Sequence, residues 1–216
     1  MTQLISEING RLSFLFRYSS LLNYRTRKLL CSSLVQPFLD FSCSTWYSGI
    51  PAVYKDRLDV IQRRMVRFII ARSPRDHVDT SDLNSMSWMT VPNRVKYFKL
   101  LHMFRIYNGT CPSYLKDGFT KTDSVHGHNT RGSDRNFFVP KNHATNIMFS
   151  SFSATAVRHW NGLNETLKAC NSLTSFRKLL KLDTVVNFYK SLLFSFFRFF
   201  SVSPFYYFLP RMPSYL

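Results

Sequence analysis

The chain is short of acids. Twelve Asp and Glu stand among 216 residues, against 29 Lys and Arg. No two Asp are adjacent; Asp56 with Asp59 and Asp79 with Asp82 stand three apart, and both pairs read as helix-start or surface charges. Two-metal polymerase or nuclease chemistry needs carboxylates converging on paired divalent ions, so the sequence offers no such centre. Cysteine is also scarce. Cys31, Cys43, Cys111 and Cys170 are widely spaced and form no Cys-x-x-Cys pair, which argues against a disulfide framework and for a reducing compartment. Glycine contributes seven residues, and they form neither a phosphate-binding loop nor a Gly-x-Ser-x-Gly elbow. The opening residues carry Glu7, Arg11 and Arg17 among apolar ones, unlike a cleaved secretory signal.

His126, His128, Asn129 and His143 invite a metal or nuclease reading, with Cys111 as a further zinc ligand. No carboxylate or metal-ligand spacing supports either. No catalytic residue, metal or cofactor is therefore expected.

Cations and apolar residues are plentiful. The net charge is +17 and hydrophobic residues make up 45%. The second figure allows a packed core. The first points to a polyanionic partner, nucleic acid ahead of an anionic membrane. A basic surface without a partner is the plain alternative.

Apolar residues recur at helical spacing. Residues 2–19 place Leu4, Ile8, Leu12 and Leu15 on one face, widened by Ile5 and Phe16. Residues 24–36 place Leu29, Leu30, Ser33 and Leu34 together, until Pro37 bends or ends the helix. The clearest helix spans 52–72, with Leu58, Ile61, Met65, Phe68 and Ile69 in one stripe. Arg57, Arg63, Arg64 and Arg67 fall opposite, and Arg72 closes the segment. These five arginines are the candidate nucleic-acid-binding residues, because the guanidinium fork matches phosphate oxygens. A solvated face is the competing reading.

Residues 77–92 are polar and broken, with Leu83, Met86, Trp88 and Met89 as anchors. A helix from about Asn93 to Tyr107 buries Tyr97, Leu100, Leu101 and Phe104, and Gly109 suits a left-handed cap. Residues 116–150 form a long polar loop with a short strand at Phe137 to Val139. Residues 151–168 return to helix with Phe152, Ala156, His159, Trp160 and Leu163 on one face. Trp160 fits core packing better than base stacking there. A last helix starts near Leu173, capped by Asn171 or Ser172. The tail from 186 is aromatic and apolar, interrupted by Lys190, Arg198 and Pro204, which makes a poor membrane span. It reads as an extension without a selected role, or as an interfacial segment.

Taken in order, several segments carry a resemblance. They are Leu34-Val35-Gln36-Pro37-Phe38-Leu39-Asp40-Phe41 with Trp46, then Gly49-Ile50-Pro51 before Leu58, Ile61-Gln62-Arg63-Arg64 and Val66-Arg67-Phe68-Ile69. Trp88-Met89-Thr90-Val91-Pro92-Asn93-Arg94 and Tyr107-Asn108-Gly109-Thr110-Cys111-Pro112-Ser113-Tyr114-Leu115 follow. Asn129-Thr130-Arg131, Ser151-Phe152, Trp160-Asn161-Gly162-Leu163 and Ser175-Phe176-Arg177-Lys178 complete the set. The order resembles the thumb and downstream region of non-LTR (LINE-type, jockey-like) retrotransposon reverse transcriptases. Asn164, where that family often has Pro, and Phe41, where Tyr is common, depart from it.

The resemblance implies a mainly α fold. A helical thumb-like region spans 1–115, a polar loop 116–150, C-terminal helices 151–185 packing on the first region, and the aromatic tail 186–216. It implies a C-terminal fragment of an RNA-directed DNA polymerase, not an enzyme by itself, because the Asp-Asp motif of the palm is absent here. The implied partners are RNA or a DNA–RNA duplex gripped without base reading, and the remainder of the polymerase where that is encoded separately. Its implied setting is an intracellular ribonucleoprotein, nuclear or cytoplasmic. Asn129, Thr130 and Arg131 are read as a latch received by Phe152 and Trp160. A helical scaffold without a nucleic-acid role, and a protein anchored to membrane by its tail, are the competing classes.

Overall fold

The computed structural model describes residues 1–125, 135–139 and 149–183. The fold is mainly α. Helix α1 (Thr2–Arg17) buries Ile5, Ile8, Leu12 and Leu15, so spacings of three and four place one stripe against α5 (Ala52–Ile70). A 3-10 turn, Ser19–Leu21, leads to α2 (Tyr24–Leu34), where the Asn23 side chain accepts from the Thr26 N–H at 2.9 Å.

The buried face of α2 differs from the one the leucines predict. Leu29 is 65% exposed and Leu34 39%, whereas Cys31 and Val35 are fully buried. Arg27 and Lys28 explain the rotation. Arg27 Nη1 donates to the Phe68 carbonyl at 3.2 Å and Lys28 Nζ to the Met86 carbonyl at 3.0 Å. Both heads satisfy carbonyls far along the chain, which turns this side of α2 inward.

Pro37 lies in the first turn of a new helix, α3 (Gln36–Asp40), where its missing N–H is harmless. Ser42 adopts a left-handed φ of 49° before α4 (Cys43–Trp46), and a 3-10 turn, Tyr47–Gly49, precedes Pro51 and α5. Ala71 ends α5 with a left-handed φ of 56°. Helix α6 (Thr80–Ser85) opens on a capping box between Asp79 and Asp82.

Helix α7 (Val91–Tyr107) is the spine. One core cluster, around Ile8, Leu12, Leu58, Met65 and Phe68, takes Val91 and Val95 from it. A second, around Ala156, Trp160, Phe176 and Leu180, takes Leu100, Leu101, Met103, Phe104 and Ile106. The buried side chain of Gln62 sets its start: Oε1 accepts from the Val91 N–H at 3.1 Å and Nε2 donates to the Met89 carbonyl at 2.8 Å. Arg94 grips both Asp40 carboxylate oxygens, tying α3 to α7.

Helix α8 (Ser113–Asp117) follows Pro112. The expected strand at 137–139 is reduced, among the described residues, to one isolated antiparallel bridge between Lys121 and Phe137. The single helix expected over 151–168 is two helices, α9 (Phe152–Asn161) and α10 (Glu165–Lys168). The break follows from Gly162 and from Asn164, whose side chain accepts from the Thr166 N–H and caps α10. Helix α11 covers 173–183, and its cap is Ser172, whose Oγ accepts from the Ser175 N–H at 3.1 Å.

Lys99, 1% exposed, stands between the two clusters and donates to Ser48 Oγ and Thr155 Oγ1. Burial pushes its ammonium down to about 8, aided by the Arg158 and Lys55 charges and opposed by Cys43. The unfolded chain then holds the extra proton between pH about 8 and 10.5. Stability attached to Lys99 therefore rises with pH across that window and is lost as pH falls through the lower value. Lys99→Met removes the cost of burying a charge. Thermal melts should show K99M above wild type at neutral pH, with the gap closing toward pH 10.5. A variant melting lower than wild type throughout would refute this.

Candidate nucleic-acid interface

Helix α5 turns Leu58, Ile61, Met65, Phe68 and Ile69 inward, so its arginines must stand on the other side. They divide into two kinds. Arg57 and Arg63 are exposed. The Arg57 guanidinium lies 5.7 Å from the Tyr54 ring. Asp59 has its carboxyl raised by burial, against the pull of the Arg63 charge.

Arg64, Arg67 and Arg72 are tied into the fold. Arg64 Nη1 donates to Asn9 on α1. Arg67 Nε donates to the Asp76 carbonyl at 2.8 Å. Arg72 Nη1 donates to the His77 carbonyl at 3.1 Å and to Asp82 Oδ2 at 2.8 Å. Asp82 thus offsets the charge of Arg72, whereas Arg64 and Arg67 keep theirs and still have unused N–H groups. A hollow of about 540 Å³ lies between α1 and α5, floored by Ile5 and Ile61, with Asp56, Arg57 and Arg64 around it.

Further cations gather where α7 meets α9. Lys96 is exposed, Lys55 is half-buried 5.6 Å from the Tyr47 ring, and Arg158 spans the Phe149 ring at 3.6 Å. His159 is pushed down to about 4, by burial and then by Lys96, Lys99 and Arg158. This group has no signal in the sequence, since its members come from α5, α7 and α9.

Of the latch residues, Asn129, Thr130 and Arg131 lie outside the described residues, as do His126, His128, His143 and the tail from 184. Phe152 is half-buried, edge-on to Phe119 and His102. Trp160 is fully buried among Tyr107, Phe137 and Phe176, and its Nε1 donates to the Arg135 carbonyl at 2.9 Å. The fastening seen here is Asn161, which the sequence reading left without a role. Its Oδ1 accepts from the Phe137 N–H at 3.0 Å and its Nδ2 donates to the Phe137 carbonyl at 2.8 Å, as a neighbouring strand would. Lys168, 3% exposed, supports it by donating to Asn136 Oδ1 at 2.8 Å and to the Asn161 carbonyl at 3.2 Å.

Among the described residues, no group of three His, Cys, Asp or Glu could hold a metal ion, and no helix is long and apolar enough to cross a membrane. No family model, curated protein or solved structure matches the chain.

The two kinds of arginine should separate in stability measurements. R64A or R67A removes a tertiary hydrogen bond and should cost about 1 kcal/mol, a Tm drop of about 2–4 °C at this size. R57A and R63A should stay within about 0.5 kcal/mol of wild type. Equal losses in all four, followed by circular dichroism, would contradict the division.

Proposed function

We propose that the chain binds nucleic acid through its phosphate backbone, without reading bases, and carries no polymerase centre of its own. In this proposal it corresponds to the helical region downstream of the catalytic core in a non-LTR reverse transcriptase. The observation that carries the reading is the outer face of α5. There Arg57 and Arg63 are exposed beside Arg64 and Arg67, each held by one hydrogen bond. A guanidinium already fixed in place loses less freedom on meeting a phosphate than a loose one. The +17 charge and the ordered motifs add support. A protein-docking module is the second reading. It is favoured by an apolar hollow of about 340 Å³ lined by Leu4, Pro37, Phe38, Phe41 and Trp46, with Phe41 78% exposed.

Fluorescence anisotropy with a labelled DNA–RNA duplex tests the proposal. Affinity should fall linearly with salt on logarithmic axes, as condensed counterions are released. R57A/R63A should weaken binding and flatten that slope by about two, while the fold stays intact. Binding that ignores salt, or no binding at low salt, would defeat the proposal. An unchanged slope in the double variant would move the contact off α5.

A further inference from the structure

Nucleic acid held only by its phosphates needs no exposed rings, yet the corner between α1 and α2 displays several. Phe14 is 56% exposed, Tyr18 48% and Tyr24 44%, and Leu21 between them is 81% exposed. Phe14 and Tyr18 sit one helical turn apart, with ring centroids 5.3 Å apart and planes at 59°. Neither belongs to the inward stripe of α1, which is Ile5, Ile8, Leu12 and Leu15. An isolated exposed ring means little, but an exposed pair in ring contact, followed six residues later by a third exposed ring, suggests a partner.

The charge around the rings indicates what kind of partner. No Asp or Glu occurs between Glu7 and Asp40, whereas Arg11, Arg17, Arg25, Arg27 and Lys28 do. Arg27 and Lys28 are turned inward onto carbonyls, and Arg11 pairs with Glu7 and covers Phe38. Arg17 and Arg25 remain exposed beside Tyr18 and Tyr24. Flat rings interleaved with cations, with no carboxylate in this stretch to repel phosphate, match a strand whose bases are unpaired. A duplex presents its phosphates but hides the faces of its bases.

We propose that the α1–α2 corner is a stacking platform for single-stranded nucleic acid. Phe14, Tyr18 and Tyr24 receive successive bases, and Arg17 and Arg25 follow the backbone. The platform rests on the nucleic-acid reading above but uses a different surface from α5. It gives the chain a separate grip on a strand that has left, or has not yet entered, a duplex.

Three probes test this on the full chain: oligouridylate, an abasic oligonucleotide of equal length, and a DNA–RNA duplex. Wild type should bind oligouridylate at least tenfold tighter than the abasic strand, with quenching of tyrosine fluorescence. The F14L/Y18L/Y24L variant keeps the surface apolar but removes the rings. It should lose about a thousandfold for oligouridylate, roughly tenfold for each of the three stacking contacts, and keep its duplex affinity. R57A/R63A should do the reverse. Equal wild-type affinity for uridylate and abasic strands would overturn the platform, as would full uridylate binding by the leucine variant. Duplex binding without single-strand binding would sink the platform alone. Failure to bind any of the three would sink the nucleic-acid reading with it. Single substitutions at Tyr18 and Tyr24, exposed enough to leave the fold intact, repeat the test where the triple variant melts early.

Discussion

Both core clusters lean on α7, because neither is complete without it. The first cluster ends with Val91 and Val95, and the second begins with Leu100. A helix with such duties is apolar around much of its circumference, and a simple two-faced pattern is lost. Its position must then be fixed by polar contacts at a few points. Gln62 fixes its start, Asp40 holds Arg94, and Lys99 is fixed between Ser48 and Thr155. The partners Gln62, Asp40 and Ser48 come from α5, α3 and the turn after α4, with α9 joining at Thr155. One helix is therefore held by α3, α5, the turn after α4 and α9, while α1 and α2 pack on α5.

The cations divide by the same logic. Arg27, Lys28, Arg64, Arg67, Lys99 and Lys168 each place at least one donor on a carbonyl, amide or hydroxyl within the fold. Part of the +17 is thus carried by side chains fixed in place by the fold. Arg17, Arg25, Arg57, Arg63, Lys96 and Arg105 remain exposed and spread over several faces. A field of this kind attracts polyanions broadly, while local geometry decides where they settle. The α5 arginines and the ringed corner are two such places with different chemistry.

Much of the helical layout was legible in the sequence because apolar spacing is a local signal. The α5 stripe is buried as its period predicts, and Trp160 belongs to the core. Three things were not legible. The face of α2 was misplaced because leucines outvoted Cys31, and because nothing in the local pattern marks Arg27 and Lys28 as partners of the distant Phe68 and Met86 carbonyls. Lys99 and Lys168 look like surface residues until their partners, more than thirty positions away for Ser48, Thr155 and Asn136, are brought near. The break after Asn161 was missed because Gly162 weakens a helix without marking where the next begins. The α1–α2 corner was overlooked for a related reason: a pattern search rewards rings that repeat inward, and these point outward.

The small closure near Phe137 has a further consequence. The Thr122 N–H donates to the Asn136 carbonyl and the Phe138 N–H to the Thr120 carbonyl, at 3.0 and 2.8 Å, and Asn161 holds Phe137 from the other side. The chain between Thr122 and Asn136 is therefore a ring fastened at its base. Closing such a ring costs entropy only as the logarithm of its length, so doubling it adds about 0.6 kcal/mol. Added length between these two pinned ends therefore carries a small entropic cost.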